Sequence, residues 1–131
     1  MKILKSLALL VTIILSNQLS AHTKLADSVP KDGSVMSSSP EELKLIFTGK
    51  VKLMKVDLKT KDGDKVKLAF MLSSISSETF SIPLTNLDND HYVVHWVAMG
   101  KDSHKMTGSF SFSVQSDKHK ENKTQHESHN H

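Results

Sequence analysis

Asp102 and His104, two residues apart late in the chain, and His22, near its start, are the residue types that hold a metal ion without sulfur. The Asp-x-His pair lies between an apolar run ending at Met99 and the alternating residues 109–114. In extended backbone, residues two apart project to the same side, so a carboxylate and an imidazole would meet at one point. Taken alone, so short a pattern is more often an ordinary polar turn. His22 changes the weighting because it directly follows Ala21 in what reads as a signal-peptide cleavage point. A chain beginning with histidine grips an ion through its α-amine and its ring, and a second imidazole extends that nitrogen set. Amine and imidazole donors in a tetragonal arrangement suit Cu(II), which also leads the divalent affinity order. Asp102 would then supply an oxygen ligand or hold an imidazole in place.

The compartment follows from residues 1–21. Lys2 and Lys5 give a short basic start, residues 7–15 an apolar run, and a polar stretch ends at small Ala21. That run is too short for a stable membrane span and fits a removable secretory signal, so an exported protein with no membrane anchor is expected. Its removal leaves about 110 residues, enough for one domain with a real core. The chain carries 17 Lys+Arg against 14 Asp+Glu, but two of the lysines leave with the signal. All the cations are lysines interspersed with acids, so nucleic-acid binding finds no basic stripe to use. Cysteine is absent. Disulfides, lipid anchoring through cysteine and thiolate metal sites are thereby excluded, and any metal falls to nitrogen, carboxylate or thioether donors.

The elements that must position these donors read as short strands. Residues 26–34 carry turn chemistry, with Pro30 and Asp32-Gly33. Leu43, Leu45 and Phe47 alternate with Lys44 and Ile46 as one strand. Val51 and Leu53, then Val56 and Leu58, give another, with a phase change at Met54-Lys55. Residues 60–64 signal a hairpin, after which Val66, Leu68 and Phe70 resume the alternation. A serine-rich loop over residues 72–78 leads to a strand that Pro83 stops. Residues 91–99 read as the most buried strand, with Tyr92, Val94, Trp96 and Ala98 on one face. Without any stretch of helical periodicity, the fold expected is an all-β antiparallel sandwich, with a closed barrel second.

The remaining histidines divide into two groups. His91 and His95 are about 13 Å apart along their strand, too far to share an ion. His119, His126, His129 and His131 sit in residues 116–131, which contain no apolar residue and so read as a disordered tail. Clustered imidazoles there would collect copper, nickel or zinc weakly, with His126, His129 and His131 as candidate ligands, or would be a solvated terminus without a role.

These residues resemble the CopC family of small periplasmic copper-resistance proteins. The resemblance runs through His22 at the mature start, Ser28-Val29-Pro30-Lys31-Asp32-Gly33-Ser34, Pro40-Glu41-Glu42-Leu43-Lys44-Leu45-Ile46-Phe47, Tyr92-Val93-Val94-His95-Trp96 and residues 102–114. It covers residues 22–115 and is specific in order and spacing. It implies an immunoglobulin-like Greek-key sandwich of about seven strands that binds Cu(II) through His22, Asp102 and His104. The role implied is that of a monomeric copper carrier or buffer, with a membrane copper importer or another periplasmic copper protein as its partner. Some members add a Glu shortly after the Leu-x-Leu-x-Phe strand, where Gly49 stands here. Others hold Cu(I) in a methionine-rich loop with a histidine, whereas only Met54 and Met71 occur between Lys50 and Ser81, and no histidine does.

No catalytic residue is assigned, and a non-enzymatic role is expected. A terminal histidine with a second histidine on a sandwich also resembles the copper brace of polysaccharide monooxygenases, but those need an aromatic-bearing substrate face. A pure adhesion sandwich would have no Cu(II) affinity beyond that of the tail. Deleting the residues after Gln115 and counting bound Cu(II) separates the readings of the tail: the scavenger role predicts a lower stoichiometry, and an unchanged count dismisses it.

Overall fold

The computed structural model describes residues 23–71 and 74–117. The expected signal segment, His22, and the tail histidines His126, His129 and His131 lie outside the described residues. Seven strands follow in chain order: β1 (Leu25–Val29), β2 (Ser34–Met36), β3 (Glu42–Thr60), β4 (Lys65–Val66), β5 (Ser77–Pro83), β6 (Asp90–Met99) and β7 (Lys105–Val114). There is no α-helix among the described residues, and the fold is the all-β sandwich that the alternating runs predict, of the immunoglobulin-like kind that the family resemblance implies.

Strand β3 is shared by both layers. Its first part, Glu42–Ile46, pairs with β1 and β5, while Lys52–Thr60 pairs with β6 and, at its end, with β4. The two strands expected over residues 43–58 are therefore one, 19 residues long. The phase change read at Met54-Lys55 is real: the ladder with β6 slips between Leu53 and Lys55. Because side chains alternate, that extra residue decides which way the second half faces. Leu43, Leu45, Phe47, Val51 and Leu53 are buried at odd positions, and Val56 and Leu58 are buried at even ones. Without the slip, Lys55 and Asp57 would point into the core. They instead form an exposed ion pair at 3.1 Å.

After β4 the chain crosses to pair β5 with the first part of β3, then returns as β6 beside its second part, the long connection of a Greek key. The expected alternation through Leu68 and Phe70 is not a strand; β4 stops at Val66, and those two side chains pack against the core from irregular backbone. The sandwich is also not wholly antiparallel. The turn at residues 28–34, expected to run through Ser34, ends in β2, which pairs parallel with β7. Buried Ser28 donates its hydroxyl to the Pro30 carbonyl at 2.9 Å, and the Val29-Pro30 bond is cis. Gly33, at φ 77°, donates its N–H to Ser111 O at 2.7 Å, while Asp32 Oδ1 accepts from Ser111 N–H. The turn is thus stitched to β7, and β2 leaves it alongside that strand.

Strand β6 is the centre of the core, with Tyr92, Val94, Trp96 and Ala98 all buried, as expected. Trp96 stands edge-on to Phe47 of the facing layer, centroids 5.1 Å apart, and Tyr92 stacks on Phe112. Such aromatic pairs add about 0.5–1.5 kcal/mol beyond area burial. The Tyr92 hydroxyl donates to Asp88 O at 2.7 Å, which closes the turn before the strand. At the other end, Ser116, the first residue of the expected tail, is held by Asn89 through three hydrogen bonds.

Gly108 of β7 lies directly under the indole: a Cβ there would stand 2.7 Å from Trp96 Cε2. Overpacking of a filled core costs about 1–3 kcal/mol. Gly108→Ala should lower the melting temperature by about 4–8 °C for each kcal/mol lost, as read by circular dichroism. An unchanged melt would mean that the indole has room to move.

Candidate metal centre

The hairpin between β6 and β7 turns through residues 100–104, with Met99 paired to Lys105. Five residues cannot reverse a two-strand ladder in purely extended backbone, and Ser103 takes the left-handed region at φ 61°. The turn closes through Ser103 N–H to Gly100 O at 3.1 Å and Gly100 N–H to His104 O at 3.2 Å. Asp102 and His104 are thus brought together by a turn and not by the pleat of a strand, which corrects the extended geometry expected from their spacing.

They meet closely. Asp102 Oδ2 lies 2.7 Å from His104 Nδ1, and Asp102 Oδ1 accepts from the His104 backbone N–H at 3.2 Å. The side-chain hydrogen bond to His104, and after it the backbone one, hold the Asp102 carboxyl below its ordinary range, so it is ionised at neutral pH. An ionised carboxylate only accepts, so the shared proton sits on Nδ1, which leaves Nε2 as the nitrogen that a ligand would meet. This is the arrangement in which a carboxylate fixes the tautomer of a metal-binding histidine. The His104 side chain is 84% exposed, so nothing in the fold covers that nitrogen.

Both residues line an open cleft of about 720 Å³ that also takes in Thr23, Gly49, Glu78 and Met106. Thr23 is there because the chain before β1 is tied to β3: Thr48 N–H donates to Lys24 O at 2.9 Å, and Lys24 N–H donates to Thr48 Oγ1 at 3.0 Å. A Cβ on Gly49 would stand 3.2 Å from Thr23 Oγ1, so the missing side chain lets the incoming segment lie close. The sequence alone did not reveal Glu78 in this cleft. Its only signal was a polar residue at the edge of a serine-rich loop. Among the described residues no three His, Asp or Glu side chains gather closely enough to hold a metal ion.

His91 and His95 are exposed on the outer face of β6, and His91 Nδ1 is 3.0 Å from Ser113 Oγ. Met106 is partly buried against the core at the cleft wall, while Met54 and Met71 are exposed elsewhere.

A two-layer sandwich with an oriented histidine on its β6–β7 turn defines a small β-sandwich domain with an open surface cleft. The CopC domain family matches residues 25–115, and the chain belongs to that family. Among solved structures, it is similar to CopC from Methylosinus trichosporium OB3b, with a TM-score of 0.61 and 20% identity over 73% of this chain and 96% of that one. It is also similar to PcoC, a methionine-rich copper resistance protein from Escherichia coli, with a TM-score of 0.58 and 27% identity over 72% of this chain and all of that one. No match was found among curated protein sequences.

The lowered Asp102 carboxyl has a testable sign. Its contribution is present above the ordinary aspartate range and is lost as pH falls through the lowered value. In the metal-free protein, NMR of the Asp102 side-chain carbon should show a titration midpoint below that of an ordinary aspartate, and His104→Ala should move it upward. Equal midpoints in the two proteins would show that the pair is not formed in solution.

Proposed function

We propose that this chain is a periplasmic copper-binding protein, a carrier or buffer in copper homeostasis and resistance, whose cargo is Cu(II). The observation that carries the reading is that the oriented imidazole of His104 shares a cleft with Thr23, the residue covalently bonded to His22. His22 is the residue next to Thr23 in the sequence. With cleavage after Ala21, the donors are the amine and ring of His22 and Nε2 of His104, and Asp102 orients the last of these. Three nitrogen donors without sulfur suit Cu(II) better than Cu(I). Membership of the CopC domain family supports the reading, as does the likeness to a copper resistance protein. The functional unit is residues 22–115 as a monomer, preceded by a removable signal over 1–21. The partner is a membrane copper importer or another periplasmic copper protein, with no nucleic acid involved. The tail histidines His126, His129 and His131 form at most an additional weak site.

A carrier is favoured over a copper-dependent polysaccharide oxidase because Tyr92, Trp96, Phe47, Phe110 and Phe112 are all spent on the core. Among the described residues no aromatic side chain is fully exposed, so no aromatic platform for a polysaccharide is offered. Oxygen-dependent chain cleavage by the copper-loaded protein with a reductant would reverse this assignment.

Competitive titration of Cu(II) into the mature protein tests the site. Asp102→Ala should weaken binding by about 10–100-fold, the usual cost of losing the partner that orients a ligand. His22→Ala and His104→Ala should each cost more than that, and retaining one residue before His22 should act like His22→Ala. If the extended chain binds as tightly as the mature one, the terminal amine is not a donor.

A further inference from the structure

Lysines and acids are interspersed along the sequence, but the pleat sorts them in space. Side chains two apart in a strand share a face, and the slip at Met54 keeps the same charged set outside along the second part of β3. Lys52, Lys55 and Lys59 are therefore turned away from buried Leu53, Val56 and Leu58, onto the outer side of the layer that also holds β4, β6 and β7. Register adds two more lysines. Lys59 stands opposite Lys65 of β4, and Met99 of β6 stands between Lys52 and Lys105 of β7. Asp57 is the one acid in these rows, 3.1 Å from Lys55 and 4.0 Å from Lys65. Among the lysines, β6 presents half-buried Val93 and Val97.

The other layer is arranged differently. There Lys44 is matched to Glu42, and Asp27 of β1 to Lys31. Like charges directly opposite across a ladder repel. One carboxylate does not neutralise five ammonium groups, so the outer face of the β4–β3–β6–β7 layer keeps a positive charge that the fold itself leaves unanswered. Neither the cleft beside His104 nor the groove between β1 and β7 is lined by any of these five lysines. The complement of such a face is an extended anionic surface and not a single side chain. Lipid headgroups drift laterally and collect under whatever spacing the ammonium groups present, whereas a protein partner must carry carboxylates at matching positions. Lysine clusters of this size are what anionic bilayers attract to their surface.

We infer that this outer face docks the protein reversibly on an anionic lipid surface. Because Val93 and Val97 are half-buried, attachment rests on charge, and salt screens it beyond about 10 Å at 0.1 M. Lys105 directly follows His104, so the docked chain holds the β6–β7 turn beside the lipid. Docking of this kind is independent of any bound metal.

Co-sedimentation of the mature, metal-free chain with vesicles of phosphatidylglycerol and phosphatidylethanolamine provides the test. At low salt the parent should pellet with these vesicles and not with phosphatidylcholine vesicles, and added salt should release it. The triple variant Lys52→Gln/Lys59→Gln/Lys105→Gln spares the Lys55–Asp57 ion pair; it should melt like the parent and bind the anionic vesicles at least about tenfold more weakly. Each single substitution should account for part of that loss. Lys31→Gln/Lys44→Gln, which removes two lysines on the side of the other layer, should bind like the parent. A parent that stays in the supernatant overturns the inference, and so does a triple variant that pellets as the parent does, because attachment then lies elsewhere in the chain. If the parent ignores the vesicles but binds poly-L-glutamate at low salt, and the triple variant does not, the face serves an acidic polypeptide and the lipid assignment falls.

Discussion

One strand serving two sheets is the constraint from which the rest of the molecule follows. The layers of a twisted sandwich are rotated relative to each other, so a strand that passes from one to the other must break step with its neighbours where it crosses. Strand β3 does so twice. At Met54 it inserts one residue and flips its buried parity, which keeps Val56 and Leu58 inside and Lys55 and Asp57 outside. Over residues 47–50 it parts from β5, and there Gly49 makes room for Thr23 while Glu78 is turned out of the ladder. The cleft is therefore a by-product of the crossing. It lies where both sheets run out of regular pairing, and backbone freed from a ladder can there present side chains at angles that a regular strand does not allow.

The second contribution comes from the β6–β7 turn, and it is electrostatic. A five-residue reversal with Ser103 in the left-handed region puts a carboxylate against an imidazole at 2.7 Å. In water such a contact adds little to stability, because exposed ion pairs are screened and lose side-chain entropy. Its effect is on ring orientation: the proton between the two groups sits on Nδ1, and the ring is held at the edge of the cleft that His104 lines. The pair is thus better understood as preparation for a ligand than as a clamp on the fold, which Trp96, Phe47 and Phe112 already hold closed.

The alternation of apolar residues made the strands from Leu43 onward legible, and it made the core face of β6 legible residue by residue, because a two-residue period has one physical cause. The slip at Met54 was visible for the same reason. What period could not reveal was pairing. The continuity of β3 depends on partners on both sides, the parallel seating of β2 depends on hydrogen bonds from Gly33 and Asp32 to Ser111, and the loss of strand after Val66 reflects the want of a neighbour to pair with. The spacing of Asp102 and His104 suggested that their side chains meet, and they do, but a turn and not a pleat unites them. Glu78 carried no mark in the sequence, because what singles it out is a mismatch of register with a strand some thirty residues away.

In the proposed site the ion would be held by a terminal residue and a turn histidine, donors from two distant parts of the sequence, at an open cleft. Such a site differs from a buried cage in how it releases its cargo. A buried cage binds through pre-paid order and gives up its ion only when the protein opens, whereas donors with free exposed side chains can be exchanged one at a time for those of an incoming partner. The 84% exposure of His104 favours stepwise exchange. Affinity in the proposed site then comes chiefly from the chelate effect of amine and ring on one residue, which costs little further ordering once the segment before β1 is tied to Thr48. A strong chelating end with weaker outer donors is the division that a carrier requires: one part retains the ion in transit while the others yield to the recipient.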